Sequence, residues 1–304
     1  MLKRKKIFYG WWMVIASGLL VFLDGSMHYG FTVFFNPIRQ TFGWTAAVTS
    51  IAFTIRRLEG GIVSPLSGFL LDKLGPRKMM LFGWIVVGLG YFLMSRIDSL
   101  WTFYGTFLLV GIGISFGSVM IVNVALSHWF VKKRSRAITL VYIISGTCGI
   151  VVPLLNWLII EYGWRDALVI ISITMWVIGL PLCSLMRHKP SQYGYLPDGE
   201  KNETVERLDS NSENSSPQIE SVSAREALKM PVFWLLTLAF LFQQMGTSSI
   251  YIHLVPYLES VQFPTVLAAT VVTGMTLSSL LGRLAFGLIG DFTDKRYLLA
   301  ISLA

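Results

Sequence analysis

The chain has 304 residues, of which 54% are hydrophobic and only 14% are charged, and its mean hydropathy is +0.61. A soluble globular domain carries nearer a quarter of charged residues, so this composition argues against a soluble fold. The net charge of +8 lies in short clusters between apolar runs, which is typical of a membrane protein and not of a nucleic-acid-binding one. Cys148 and Cys183 both lie within apolar runs, so they indicate neither a disulfide framework nor a metal site.

The first apolar run follows the basic residues 1–6 and extends to about Phe35. It is too long for a signal-peptide core and no small-x-small cleavage site closes it, so we interpret it as the first transmembrane helix. A ninth span begins at Tyr297, and the spans between them are predicted at about 45–70, 79–95, 101–127, 137–160, 167–186, 231–256 and 264–290. Each is about as long as a helix that crosses the hydrocarbon layer. The sequence therefore predicts an all-α, multi-pass membrane protein.

The distribution of lysine and arginine predicts the orientation of these spans. With the N-terminus in the cytoplasm, 19 of the 25 cations fall in cytoplasmic segments and 3 in outside loops, while the other 3 lie within spans. This bias is the positive-inside rule, and it predicts insertion in the cytoplasmic membrane of a cell.

Three parts follow from the pattern of spans and polar segments. Residues 1–186 hold six spans, and residues 231–304 hold helices 7 and 8 and the start of a ninth. Residues 187–230 between them are polar and rich in Ser, Asn and Glu, so we predict a disordered cytoplasmic linker. A short repeat supports two related halves, because the same spacing follows the second span of each: Gly68-x3-Asp72-x4-Arg77 and Gly287-x3-Asp291-x4-Arg296.

At residues 68–78 the sequence GFLLDKLGPRK resembles the signature loop of the major facilitator superfamily. Finer features resemble its monocarboxylate transporter and oxalate–formate antiporter branch: YGWW at residue 9, WFVKKRSRA at 129, YGWR at 162 and HLVP at 253. The resemblance implies a bundle of twelve helices with a six-helix N-terminal half. Since this sequence stops at the start of the ninth span, we expect it to be C-terminally truncated, with only part of the second half.

Charged residues within the spans are the first candidates for a binding site. Arg56, Arg57 and Glu59 lie near the middle of the second span, where each charge is costly unless it faces a bundle interior or a cavity. Arg56 and Glu59 are three apart and share a helix face, whereas Arg57 points about 100° away. One hypothesis is a structural ion pair, and the other is contact of an arginine with an anionic substrate.

The resemblance adds Arg283, which falls where the monocarboxylate branch carries its substrate-binding arginine; snorkelling to the headgroups is the alternative. The chain departs from the proton-coupled members at Tyr29, where they carry a lysine, and at Ser279, where they carry an acid. We expect Tyr29, Gln243 and Gln244 to line the cavity as well, although hydrogen bonds between helices would explain both glutamines equally.

Asp24 and His28 form an i, i+4 pair near the centre of the first span. Such a pair can touch on one face, so it is a candidate proton relay or, alternatively, a polar contact between helices. In the repeated loops, Gly68 and Gly287 are predicted to permit close helix approach. Asp72 and Asp291 are predicted to cap or to pair with cations as gating contacts, together with Lys73, Arg77 and Arg296. Headgroup anchoring by Lys73, Arg77 and Lys78 is the alternative. The rows Gly113-x3-Gly117 and Gly274-x3-Ser278-x3-Gly282 indicate tight helix packing.

No nucleotide-binding loop, metal-ligand spacing or nucleophile–base set occurs, so we expect no enzyme, no catalytic residue, no cofactor and no metal. Three intramembrane arginines against two acids favour secondary transport of a small organic anion, a mono- or dicarboxylate, by symport or antiport with a proton or counter-anion. The alternatives are efflux of amphipathic drugs or metabolites, and a non-transporting membrane sensor or scaffold. We expect a monomer in the lipid bilayer.

Overall fold

In a computed structural model, residues 8–117, 119–199, 226 and 228–289 are described, and they form α-helices joined by short turns, with no strand among them. A 3-10 turn at Cys148–Ile150 precedes α6, and a π-helical turn at Met175–Gly179 joins α6 to α7. The α-helices are α1 Tyr9–Phe42, α2 Ala46–Met94, α3 Leu100–Gly117, α4 Val119–Trp129, α5 Arg134–Gly146, α6 Val151–Thr174, α7 Leu180–Ser184, α8 Pro231–Ser260 and α9 Thr265–Ile289.

The chain reverses direction inside α2, at Gly75. Its φ of 74° and ψ of 159° lie in a region that only glycine adopts readily, and Pro76 follows. After this break Gly83 packs on Gly117 and Gly90 packs on Val110, so the second part of α2 runs antiparallel to α3. One continuous helical assignment therefore contains the predicted second and third spans.

The chain also reverses direction at a glycine inside α6, where Gly163 has φ 80° and ψ 159°. Before this glycine the chain runs parallel to α1, with Leu155 against Gly30. Immediately after it, the Trp164 indole donates a hydrogen bond to Thr41 at the end of α1, and the chain returns toward the start of α1. The predicted fifth and sixth spans are thus two passes joined at one residue.

These reversals define two ends of the bundle. The N-terminal end contains Tyr9, whose hydroxyl donates to the Leu185 carbonyl, and the far end contains Trp164 and the Arg165 guanidinium, which donates to the Ser95 and Ile97 carbonyls. Among the described residues, five helical stretches are long and apolar enough to cross a membrane: Tyr9–Phe42, Lys73–Met94, Leu100–Trp129, Arg134–Ser184 and Pro231–Ser260.

Glycine allows the closest helix contact in the core, as the sequence predicts for Gly113 and Gly117. A Cβ on Gly83 would lie 2.6 Å from the Gly113 carbonyl oxygen and 2.7 Å from the Gly117 nitrogen, so this prediction is confirmed. The second predicted row is not packed in this way. In the described part of the chain, no atom lies within 4 Å of a Cβ placed on Gly274 or Gly282.

Residues 187–199 are ordered, which contradicts the prediction of a disordered linker beginning at 187. The Arg187 guanidinium lies 3.8 Å from the centre of the Tyr9 ring and 4.4 Å from that of the Tyr193 ring. Asp198 accepts three backbone hydrogen bonds at 2.8–3.0 Å, from Val131 and the two lysines after it. Aromatic side chains and one carboxylate thus give this short polar segment enough contacts to pack. Residues 200–225 of the predicted linker lie outside the described residues.

Candidate functional site

A cavity of about 280 Å³ lies near the middle of the bundle, between α1, the first part of α2 and α8. Its lining is polar on the α1 and α2 sides and contains both adjacent arginines of the second span. The lining residues are His28, Thr32, Phe53, Arg56, Arg57, Gly60 and Ser248. We call this the central cavity.

Arg57 and His28 are the two exposed residues of the described central-cavity lining. One guanidinium nitrogen of Arg57 donates a hydrogen bond of 2.6 Å to the Ser248 hydroxyl on α8. This contact joins the first six passes to the helix that follows residue 230. A guanidinium carries five donors, and Ser248 occupies one direction, so the group is suited to bind an acceptor in the cavity as well.

Arg56 lies one residue away but has different surroundings. Glu59 is 6% exposed and accepts a hydrogen bond of 3.1 Å from the Ser115 hydroxyl on α3. Both Glu59 and the Arg56 stem pack against Gly111, where an added Cβ would lie 2.6 Å from a Glu59 carboxylate oxygen. Within the described residues, no ion pair joins Arg56 directly to Glu59, so the predicted pair is replaced by a shared packing site with Ser115 as the partner of the acid.

The structure separates Asp24 from His28. His28 faces the central cavity, whereas Asp24 lines a small apolar pocket with Trp84, Tyr91 and Met175 among others. Of the charges near Asp24, the one that acts on it is Arg56. The i, i+4 spacing allowed contact, but in the part of the chain described here the two side chains line different spaces and share no hydrogen bond.

The remaining predicted cavity residues lie at the margins of the central cavity. Tyr29 places its ring edge-on to that of His28, with 5.2 Å between centroids. Gln244 lines a neighbouring apolar cavity of about 860 Å³ between α2 and α8, which shares Arg57 and Ser248 with the central one. Gln243 is exposed one residue earlier on α8 and belongs to the lining of neither cavity as described.

The predicted gating residues of the first loop lie at the N-terminal end, around the break at Gly75. Lys73 sits 4.4 Å from the Phe69 ring, and Arg77 is exposed. A Cβ on Gly68 would meet Met120 at 3.6 Å, an ordinary contact, so close approach at Gly68 is not what the structure requires. Other predicted site residues lie outside the described residues or side chains: Asp72, Arg283, Gly287, Asp291 and Arg296.

Sequence reasoning missed four residues of the cavity lining, Thr32, Phe53, Gly60 and Ser248. Ser248 carried a usable signal, because it belongs to a run of three hydroxyl residues in the middle of a predicted span. Such side chains are often satisfied by their own helix backbone, as Thr247 is by the Gln243 carbonyl. The composition alone therefore does not distinguish a residue that reaches into a cavity from one that does not.

The fold and its mid-bundle cavity agree with the comparison to known families. The family model described as Major Facilitator Superfamily matches residues 15–304. The chain belongs to the Major Facilitator Superfamily. This family membership, together with the apolar helices, makes it a multi-pass membrane protein with a transporter fold, and it confirms the predicted fold class.

Two curated relatives and one solved structure place the chain within the superfamily. It is 26% identical over 287 residues to the oxalate:formate antiporter of Oxalobacter formigenes, which covers 92% of this chain and 63% of that protein. It is 28% identical over 293 residues to monocarboxylate transporter 13 of Rattus norvegicus, covering 93% and 62%. The chain thus spans a little under two thirds of the length of these relatives.

The solved structure is a bacterial homolog of the human lysosomal transporter Spinster, in an inward-facing and unoccupied conformation. It matches with a TM-score of 0.69 and 17% identity, over 95% of this chain and 64% of that one. At this identity the likeness shows the fold alone. The family model and the two curated relatives confirm the resemblance to the monocarboxylate and oxalate–formate branch of the superfamily.

Proposed function

We propose that the protein is a secondary transporter of small organic anions, mono- or dicarboxylates, which works by alternating access. The observation that carries this proposal is Arg57, a guanidinium exposed in a mid-bundle cavity that reaches from α2 to Ser248 on α8. A charge at this depth is costly unless water or an anion compensates it. The planar guanidinium can hold a carboxylate through two parallel hydrogen bonds, which an ammonium cannot.

Arg56 and Arg57 have different roles in this proposal. Arg56 lies near Glu59 and Asp24, whose carboxylates can balance its charge, so we assign it a structural role and not a substrate contact. Arg57 has no such acid among the lining residues of the described cavity, so its charge is available to a substrate. Arg283 on α9 is proposed as a second carboxylate contact, and Asp24 as the carrier of any coupled proton.

The proposed orientation places the N-terminal end in the cytoplasm of a cell, with 1–186 and 231–304 as two parts joined by 187–230. The cation distribution supports it, since 19 of the 25 lysines and arginines fall on the predicted cytoplasmic side. In alternating access the two parts rock about the central cavity, and contacts at one end break as those at the other form.

Uptake by the full-length protein in liposomes tests the proposal, with labelled oxalate, formate and longer mono- and dicarboxylates. Arg57→Lys keeps the charge but loses the planar fork, so affinity for a carboxylate should fall about ten-fold or more. Arg56→Lys should have a smaller effect, and Arg96→Lys, an exposed residue at the far end, is the control. In the same liposomes Asp24→Asn should remove any pH dependence of uptake while leaving exchange. If Arg57→Lys transports carboxylates like the parent, or the parent prefers cations, the anion proposal fails.

The neighbouring apolar cavity of about 860 Å³ favours a second candidate, efflux of amphipathic compounds. Its lining includes Phe53, Leu58, Phe240, Leu241 and Met245, which suit an apolar body better than a carboxylate. Transport of a lipophilic cation in the same liposomes, insensitive to Arg57→Lys, would support efflux over anion transport.

A further inference from the structure

Among the described residues, a polar contact joins α1 to α8 at the far end of the bundle. There the Asn36 amide nitrogen of α1 donates a hydrogen bond to a carboxylate oxygen of Glu259 on α8. Asn36 is two turns from the central-cavity residue His28, in the direction of the far end. The contact therefore lies across the route from the central cavity to that end.

A separate cavity of about 410 Å³ surrounds this contact, between α1, α6 and the turn from α8 to α9. It is lined by four carboxamides and one carboxylate, a much more polar set than in the core: Asn36, Gln40, Asn156, Glu259 and Gln262. Asn156 is only 5% exposed, and in the described residues its amide makes no hydrogen bond to the protein. Because the Asn156 amide is not among the fully buried polar atoms that lack a partner, it faces this cavity, where water or a solute can supply its hydrogen bonds.

We propose that Asn36 and Glu259 form the gate at the far end of the transport path, with this carboxamide-lined space as its vestibule. The inference rests on the proposed function, since a gate needs a solute to pass it. In the state described here the hydrogen bond closes the far end. To open that end, α8 must move away from α1. This movement breaks the hydrogen bond and exposes the vestibule and the side chains beneath it.

The vestibule chemistry fits an entry path for a small carboxylate in one further respect. Carboxamide nitrogens offer hydrogen-bond donors without a fixed charge, so they can hold a carboxylate briefly and release it to the arginines below. With Glu259 bonded to Asn36, the carboxylate is held across the path, and its negative charge repels anions from the closed gate. Separation of the two helices removes that charge from the path.

Reagent accessibility tests the gate without any substrate, so its failure is distinguishable from failure of the transport proposal. Val33 lines the vestibule one turn beneath Asn36 and is 3% exposed. In the full-length protein in intact cells, Val33→Cys should react slowly with a membrane-impermeant thiol reagent added outside. Adding Asn36→Ala should raise that rate about ten-fold or more, the factor expected for loss of a hydrogen bond to a charged group, and Glu259→Gln, which keeps an acceptor but loses the charge, should raise it by a smaller factor of about three-fold or more.

The matched control is Glu161→Gln, which removes the same charge from an exposed acid at the same end of the bundle, on α6. It should leave the labelling rate of Val33→Cys within about two-fold of the parent. Equal rates in the parent and in both gate variants would overturn the proposal, and so would an equal increase in the Glu161→Gln control.

A cross-link gives a second measurement that does not depend on loosening the fold. In the double variant Asn36→Cys with Glu259→Cys, oxidation should join α1 to α8 and reduce uptake more than ten-fold, and reduction should restore it. For each variant with only one of the two substitutions, uptake should be the same before and after oxidation. Full transport by the cross-linked protein would show that the two helices do not need to separate at this point.

Discussion

Arg56 and Arg57 are adjacent in α2, and their different directions around the helix give them different contacts. They have the same chemistry and both line the central cavity, but the 100° between them also places the Arg56 stem against Gly111 beside Glu59, whereas the Arg57 guanidinium donates to Ser248 on α8. Gly111 is essential to this division, because any larger side chain there would displace Glu59 from its place beside Ser115. We therefore propose Arg57, and not Arg56, as the substrate contact.

Asp198 is a second residue with an important contact. It accepts a backbone hydrogen bond at the start of α5 from Lys133, which lies 65 residues earlier in the chain. Its φ of 59° is a left-handed conformation that aspartate and asparagine tolerate better than most residues. Burial alone would raise the pKa of the Asp198 carboxyl, but three backbone donors and the nearby Lys133 charge hold its pKa below the usual value. The ionised form is therefore the one that the fold stabilises.

Asp198→Asn keeps the backbone conformation but loses the charge and one acceptor oxygen. We expect the free energy of unfolding to fall by about 1–2 kcal/mol at pH 7, measured by thermal unfolding in detergent. A lowered folded pKa gives a stabilisation that is complete above the unfolded pKa of about 3.9 and is lost only as the pH falls through the folded value. The difference from the parent should thus be the same at pH 5 and pH 8. A difference that vanished at pH 5 would contradict the lowered pKa, and the exposed Asp166→Asn should show no loss at either pH.

Among the elements, the loop between the second and third spans is reduced to a single residue, Gly75. The helix continues on both sides of it, so the reversal depends on one backbone conformation with φ 74° and ψ 159°. A β-carbon in this region costs about 1–3 kcal/mol. Gly68, seven residues earlier in the same signature sequence, is in regular helix and has room for a methyl group.

Substitution by alanine should therefore change the stability of the protein differently at Gly75 and at Gly68. We expect Gly75→Ala to destabilise the folded protein by about 1–3 kcal/mol and to reduce the yield of monodisperse protein. Gly68→Ala should be neutral or slightly stabilising, because alanine favours helix over glycine by up to about 1 kcal/mol. Thermal unfolding of the two variants in one detergent is the measurement. Equal losses in both would show that Gly68 is needed for helix approach in a conformation other than this one.

The sequence predicted the helical passes and their order well, because the apolar periods that form each span are local. It did not predict that α2 and α6 turn at single glycines, since polar residues around Gly75 resemble a longer loop. Nor did it predict the ordered segment up to Asp198, whose partners Tyr9 and Val131 are distant in sequence. The site was predicted in part for the same reason: Arg57 was visible as a charge in an apolar span, but its partner Ser248 is defined only by the packing of α8.

At the scale of the whole molecule, the proposed orientation is consistent with the positions of the site, the gate and the cation clusters. If the N-terminal end is cytoplasmic, the contact between Asn36 and Glu259 is an outer gate, and the exposed cations from Lys132 to Arg136 face anionic headgroups inside. If the molecule were inverted, that cluster would have to cross the membrane during insertion, against the positive-inside rule. The gate would then control access from the cytoplasm instead.

Single cysteines at the two ends decide between these orientations. Ser191 is exposed in the ordered segment at the N-terminal end, and Arg96 is exposed in a turn at the far end. In intact cells, Arg96→Cys should react with an impermeant thiol reagent within minutes, while Ser191→Cys should react only after permeabilisation. The native Cys148 and Cys183 are buried, so they should contribute little background, and the parent protein measures it. Rapid labelling of Ser191→Cys in intact cells, with Arg96→Cys protected, would show that the N-terminal end faces the outside. The proposed gate would then lie on the cytoplasmic side, and the position of the Arg57 site would be unchanged.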